Sequence, residues 1–206
     1  SYYLITLWNS FKVSIAVTII TLIIGVPLAY LYNMYEIKGK GLLQIIIILC
    51  SMSAPFIGAY SWILMLGNSG IIRKAIKSVL GITLPSIYGF NGILLVLSLQ
   101  LFPLVFLYVS GAMKNIDNSL LEAAESMGCK GIKRFLTVIV PLCMPTILAA
   151  MLLVFMRAFA DFGTPLLIGQ GYRTFPVEIY NAFFSETTGG DYGFACATSV
   201  IAIVIT

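Results

Sequence analysis

Apolar runs of about 20 residues recur along this chain, and each is long enough to cross a hydrocarbon core of roughly 30 Å as a helix. One is "SIAVTIITLIIGVPLAYL" (14–31) and another is "ILLVLSLQLFPLVFLYVSGAM" (93–113). A soluble domain can hide one apolar helix, but a series of this length has no core to enter. The mean hydropathy of +1.01 and the 10% share of charged residues exclude a soluble globular domain. The fold class that follows is an all-α polytopic membrane protein.

About five transmembrane helices are expected. Four cover approximately Leu7–Leu31, Leu42–Leu66, Ile93–Met113 and Leu136–Phe159, and a fifth begins at Phe194. Gly25 and Pro27 lie inside the first, which a membrane helix tolerates. Trp8, Tyr30 and Tyr32 near its ends have the character of interface anchors. In the second, "SMSAPFIGAYSW" (51–62) interrupts the aliphatic run with small residues, Pro55 and Gly58. The polar stretch 67–92 has an amphipathic middle with Arg73, Lys74 and Lys77, the pattern of a short helix lying along a membrane surface. The chain opens on Ser1 and stops within an apolar run, so it is expected to be a piece of something longer.

Several chemistries are disfavoured. There is no histidine, which removes the commonest metal ligand and general base. The four cysteines form no CxxC pair and are expected to be packing residues. A net charge of +4 suits flanked membrane spans better than nucleic acid. No G-x-x-x-x-G-K-[ST] phosphate loop is present, so ATP hydrolysis is not expected of this chain.

One charged island stands between two apolar runs: "EAAESMGCKGIKRFLTVIVP" (122–141). Residues 118–127 are good helix formers, with Asp117 or Ser119 placed to cap them and Glu122 and Glu125 near the positive end of the dipole. Gly128 and Gly131 break the pattern, and Lys130, Lys133 and Arg134 open the next segment. The expectation is a helix–turn–helix hairpin outside the bilayer that presents Leu120, Leu121, Ala123, Ala124 and Met127 as a docking surface. With 114–135 on the cytoplasmic side, loop 33–41 is also inside. The inner loops then carry six basic residues, against four in the outer loops, or five with Lys12.

The spacing Glu122-Ala123-Ala124, Gly128, Val138, Val140, Pro141 resembles the EAA loop of permease subunits of binding-protein-dependent ABC transporters. Val138 and Val140 stand where that pattern usually has Ile and Leu. The resemblance runs from "NSFKVSIAVTIITLIIGVPLAY" to the last span, and "AFADFGTPLLIGQGYRTFPVEIYNAF" is similar to the iron(III), 2-aminoethylphosphonate, polyamine and sulfate-like branch. It implies that 1–206 is a transmembrane permease domain, or one half of a longer two-repeat chain. It also implies that 114–135 is the cytoplasmic coupling segment, with Glu122, Ala123, Ala124, Gly128 and Pro141 at the coupling positions. The implied partners are ABC ATPase subunits, an extracytoplasmic solute-binding protein, a second permease half or subunit, and the lipid bilayer of a bacterial plasma (inner) membrane. No cofactor is implied for this chain, ATP being bound by the partner.

Polar residues in or beside the spans are the candidates for a pathway or gate: Gln100, Arg157, Asp161 and Thr164. Arg157 and Asp161 are spaced to share a helix face and form an ion pair. Arg157 also falls about 31 Å along the fourth span, where snorkelling is a sufficient explanation. An interhelical hydrogen bond is the plainer role for Gln100. "DFGTPLLIG" (161–169) is expected to leave the helix and to border the translocation path or a delivering protein. The alternative function is an ion-coupled secondary transporter, which would place acidic groups at mid-membrane, where the spans have none. An intramembrane enzyme has less support still.

Overall fold

The first long helix, α1 (Tyr2–Met34), forms because a continuous apolar stretch in lipid must satisfy its backbone internally. Pro27 stays within it, as membrane helices permit. This computed structural model describes residues 2–35, 39–52, 55–67, 70–80, 87–184, 193, 196–197, 199–200 and 203. Along them follow α2 (Lys40–Ser51), α3 (Pro55–Leu66), α4 (Ile71–Leu80), α5 (Phe90–Lys114), α6 (Asn118–Ser126) and α7 (Gly131–Arg134). A π turn (Phe135–Ile139) joins α7 to α8 (Val140–Phe159), and α9 (Gly163–Ile168) and α10 (Phe175–Phe184) complete the series.

Among the described residues three helices are long and apolar enough to span a membrane, namely α1, α5 and the continuous Gly131–Phe159, with a fourth span if α2 and α3 count together. The expected single helix Leu42–Leu66 is thus two shorter helices, and residues 53–54 between them lie outside the described set. The span expected from Phe194 lies mostly outside the described residues.

The helices group into two units. The first comprises Ser1–Val17, Ser53–Ser98 and Phe155–Thr206. In it α3 packs on α9 and α4, with Phe56 edge-on to Phe162 at 5.9 Å. The start of α1 is bound to the loop before α10. Ser10 Oγ accepts from the Phe175 amide at 2.7 Å, Tyr172 Oη donates to Asn9 O at 3.4 Å, and Asn9 Nδ2 donates to Arg173 O at 3.3 Å. Val13, Val17, Ile93, Val96, Leu97, Phe159 and Ile168 form its buried core.

The second unit comprises Thr18–Met52 and Leu99–Val154. Here α1 meets α5 at Gly25, where an added Cβ would lie 2.8 Å from Val105 Cβ and 3.3 Å from Phe102 O. Asn33 Nδ2 donates to Ser110 Oγ at 3.0 Å, closing the same pair of helices further along. Small and hydroxyl residues recur on the buried face of α1, at Ser10, Ser14, Thr18, Thr21 and Gly25. Such residues let membrane helices approach closely, and hydroxyls bonded back to the helix need no outside partner: Thr21 Oγ1 donates to Thr18 O at 2.9 Å.

Tyr30 and Tyr32 are not interface anchors. Both are 7% exposed and packed inside the second unit, Tyr30 on Phe135 at 4.6 Å and Tyr32 edge-on to Phe106 at 5.3 Å. Trp8 does project outward, with Lys12 Nζ 5.7 Å from its ring. Of the four cysteines only Cys143 is buried, so packing does not account for Cys50 and Cys196, which are exposed.

Candidate functional site

The charged island folds as the expected hairpin. Asp117 caps α6, its carboxylate accepting from the Ser119 amide at 3.0 Å, and that bond holds its carboxyl below the ordinary value. At the other end Gly128 takes φ +80°, the Cys129 amide bonds Ala124 O at 3.0 Å, and the Gly128 amide bonds Glu125 O at 3.0 Å. This pair of bonds is a Schellman motif, which turns the chain and satisfies carbonyls that the helix end leaves open. Gly131, at φ +56°, then begins α7.

Of the residues expected to form an exposed docking face, Leu120, Ala123 and Met127 are exposed. Leu121 is half-buried, and Ala124, at 3% exposure, points inward, because adjacent helix residues are about 100° apart and α6 must bury one side. Ala123, Ala124 and Pro141 are brought together as walls of one groove of about 380 Å³, with Leu120, Met127 and Val138. Glu122 is exposed on α6, and Gly128 forms the turn rather than the groove.

A side chain with no expected role holds the hairpin. Arg134 Nη1 lies 3.3 Å from Glu125 Oε2, and Arg134 Nη2 lies 3.8 Å from Met34 sulfur. Tyr30 Oη donates to Gly131 O at 3.3 Å. Only spacing along the α6–α7 turn could have suggested the ion pair, and nothing local links Tyr30 to a residue about 100 positions away.

Gln100 belongs to the second unit and Arg157, Asp161 and Thr164 to the first. The expected Arg157–Asp161 ion pair is absent, because α8 ends at Phe159 and Asp161 is no longer on its helix face. Asp161 instead lies one residue before the Phe162 N-cap of α9 and accepts from the Thr164 amide at 3.0 Å. The expected departure from helix at "DFG" is present, followed by the short α9. Thr164 is fully buried, with its amide and its hydroxyl both acting on the Asp161 carboxylate, and Gln100 Oε1 is buried without a hydrogen-bond partner.

Burial holds the Asp161 carboxyl above its ordinary value, against the opposite influence of the Thr164 amide. A folded-state value above the unfolded one means that neutral Asp161 stabilises fully below pH about 4, and that this stability is lost as pH rises through the raised value. Asp161→Asn keeps the acceptor without the charge. Its melting temperature should therefore gain on the unsubstituted protein between pH 4 and 8, while Asp161→Ala loses the bond to the Thr164 amide, worth about 1 kcal/mol. A constant difference between Asn and Asp forms across that range would refute the assignment.

Comparison with known proteins agrees with this architecture. Residues 21–206 match the family described as "Binding-protein-dependent transport system inner membrane component". The chain is 29% identical over 91% of its length to the ferric transport system permease protein FbpB of Actinobacillus pleuropneumoniae, of which it spans 27%. It is 34% identical to the spermidine/putrescine permease protein PotB of Haemophilus influenzae, with 81% of this chain and 59% of that one covered. With the molybdenum permease protein ModB of Escherichia coli K12 it shares 27% identity, over 95% of this chain and 86% of the relative. Among solved structures, a chain of a bacterial alginate ABC transporter superposes with a TM-score of 0.79 at 18% identity, covering 98% of this chain and 75% of that one. A chain of the inward-facing MetNI methionine ABC transporter gives 0.71 at 16% identity, with 97% and 87% covered. A match to that family over residues 21–206, in a chain whose apolar helices are long enough to span a membrane, makes this chain a member of the binding-protein-dependent transport system inner membrane component family.

Proposed function

We propose that the chain is the pathway-forming part of an ATP-driven importer, energised by a separate ATPase subunit that docks on α6. The observation that carries this reading is the hairpin: a capped helix outside the spans whose Leu120, Ala123 and Met127 are exposed among charges. Apolar side chains on a short exposed helix are costly in water and are favoured by a partner's groove. ATP is then bound by the partner, and no catalytic residue is assigned here. The cargo is a small charged solute, a ferric ion, phosphonate, polyamine or oxyanion, brought by an extracytoplasmic binding protein. Only 22% of the most apolar stretch of Gly131–Phe159 is buried, against 50% for α1 and α5, which supports a second permease half or subunit alongside that helix. Gln100, whose buried Oε1 has no partner, and the buried Thr164 are assigned to the pathway, and Arg157 and Asp161 to structural roles.

The test uses the full-length protein co-expressed with its candidate ATPase subunit. Ala123→Arg places a long charged chain on the outward face and is expected to reduce co-purification at least tenfold, with Glu122→Ala giving a smaller loss. Undiminished co-purification of Ala123→Arg would sink the docking assignment. The absence of acidic residues from α1, α5 and α8 weighs against an ion-coupled secondary transporter.

A further inference from the structure

The α6–α7 hairpin is joined to the membrane helices in two ways that differ in stiffness. Along the chain, α7 reaches α8 through the π turn Phe135–Ile139, where the Val140 amide bonds Phe135 O, one residue further back than in an α-helix. Pro141 and Pro145 follow, and neither has an N–H to give to the preceding turn. A wide turn followed by two missing ladder bonds is the usual composition of a point where a helix bends.

Across space, the hairpin is fastened to the end of α1. Arg134 reaches both Glu125 on α6 and Met34 on α1, at 3.3 and 3.8 Å. Tyr30 bonds Gly131 O at 3.3 Å and lays its ring 4.6 Å from that of Phe135. The Arg134 side chain is 19% exposed and Tyr30 is buried, so both are held by their surroundings rather than by one solvated ion pair. The ion pair alone would be weak, since Glu125 is half exposed. Its effect lies in adding to the contacts around a largely desolvated guanidinium.

We propose that the hairpin and the Tyr30–Met34 end of α1 move as one lever, with the π turn as the joint between that lever and α8. Arg134 and Tyr30 are the positioning residues that keep the lever rigid. This rests on the docking role proposed above, since the ATPase is what moves the hairpin. It adds a direction: partner movement passes into α1, and α8 yields.

The full-length protein with its ATPase, in lipid nanodiscs and with its native cysteines replaced by serine, provides the test. Spin labels introduced by Ser126→Cys with Leu31→Cys report the hairpin-to-α1 distance. Ser126→Cys with Leu148→Cys reports hairpin to α8. Pulsed dipolar spectroscopy is recorded without nucleotide and with MgATP plus vanadate. The first distance is expected to hold within about 1 Å, while the second shifts by about 2 Å or more, the scale of helix movements in switching proteins. Arg134→Gln or Tyr30→Ala should let the first distance shift with nucleotide, and Arg134→Lys should restore its constancy. The inference is overturned if the hairpin-to-α1 distance changes while the α8 distance holds, if neither changes with the ATPase bound, or if Arg134→Gln and Tyr30→Ala both leave the pattern intact. Failure of the ATPase to co-elute even with the unsubstituted protein overturns the docking reading, and this inference with it.

Discussion

Gly25→Val is expected to prevent the second unit from assembling, and Gly25→Ala to weaken it measurably. A Cβ on Gly25 would sit 2.8 Å from both Cβ and Cγ1 of Val105, closer than carbon atoms approach without a shift. Val105 is fully buried, and its Cβ is tied to the α5 backbone rather than at the tip of a flexible chain. Phe102 O, also backbone, lies 3.3 Å away on the same side. The helices must therefore separate, and a close-packed interface converts that separation into lost contacts along its length. Overpacking of this kind costs about 1–3 kcal/mol for one added carbon, and more for a branched side chain. Thermal unfolding of the purified protein, followed by size-exclusion, is expected to show a lower midpoint for Gly25→Ala and aggregation for Gly25→Val. In a double-mutant cycle Gly25→Ala should cost less in a Val105→Gly background than in the unsubstituted protein, because the obstructing atoms are gone. An unchanged midpoint for Gly25→Ala would mean that α1 and α5 do not approach as described.

Gly128 tests the hairpin by backbone conformation instead of space. No atom lies within 4 Å of a Cβ added there, so no side chain is excluded by crowding. Its φ of +80° is nevertheless a conformation that costs an ordinary L-residue roughly 1–2 kcal/mol, and a β-branched one more. Asparagine adopts this region more readily than most. The expected order of ATPase co-purification is therefore Gly, then Asn, then Ala, with Val last. Val should lose at least about tenfold, since each 1.4 kcal/mol of misplacement is a factor of about ten in affinity. Circular dichroism and expression level should scarcely change, because the surrounding space is open. An equal loss for Asn and Val would show that side-chain bulk, and not the left-handed turn, matters at this position.

Much of this architecture could be read from periodicity and length. Helices α1, α5 and α8 begin and end near the expected residues, since a chain in lipid has few ways to satisfy its backbone and apolar length alone limits it to helices. The hairpin was legible for a local reason: Asp117, Gly128 and Gly131 each act on backbone within a few residues of themselves. Local chemistry was also enough to place the break after Phe159. It was not enough to show that the break ends the helix early and directs Asp161 to the Thr164 amide instead of Arg157.

The remaining differences are ones of partnership. Tyr30 and Tyr32 have the composition of interface anchors, yet they are buried because residues distant in sequence, Phe135 and Phe106, arrive beside them. Ala123 and Ala124 are chemically identical neighbours, and only the packing of α6 turns one outward and the other in. Sequence by itself determined that this chain crosses a membrane as helices and carries a capped hairpin between two spans, because hydrophobic length, helix caps and glycine turns act over one or a few turns. Tertiary structure alone decided the strap from Arg134 and Tyr30 to the hairpin, the π turn beside it and the meeting of Gly25 with Val105. The strap and the meeting of Gly25 with Val105 depend on atoms far apart in the chain, at distances set by packing. The π turn is a backbone choice within five residues that the apolar pattern does not distinguish from an α-helix.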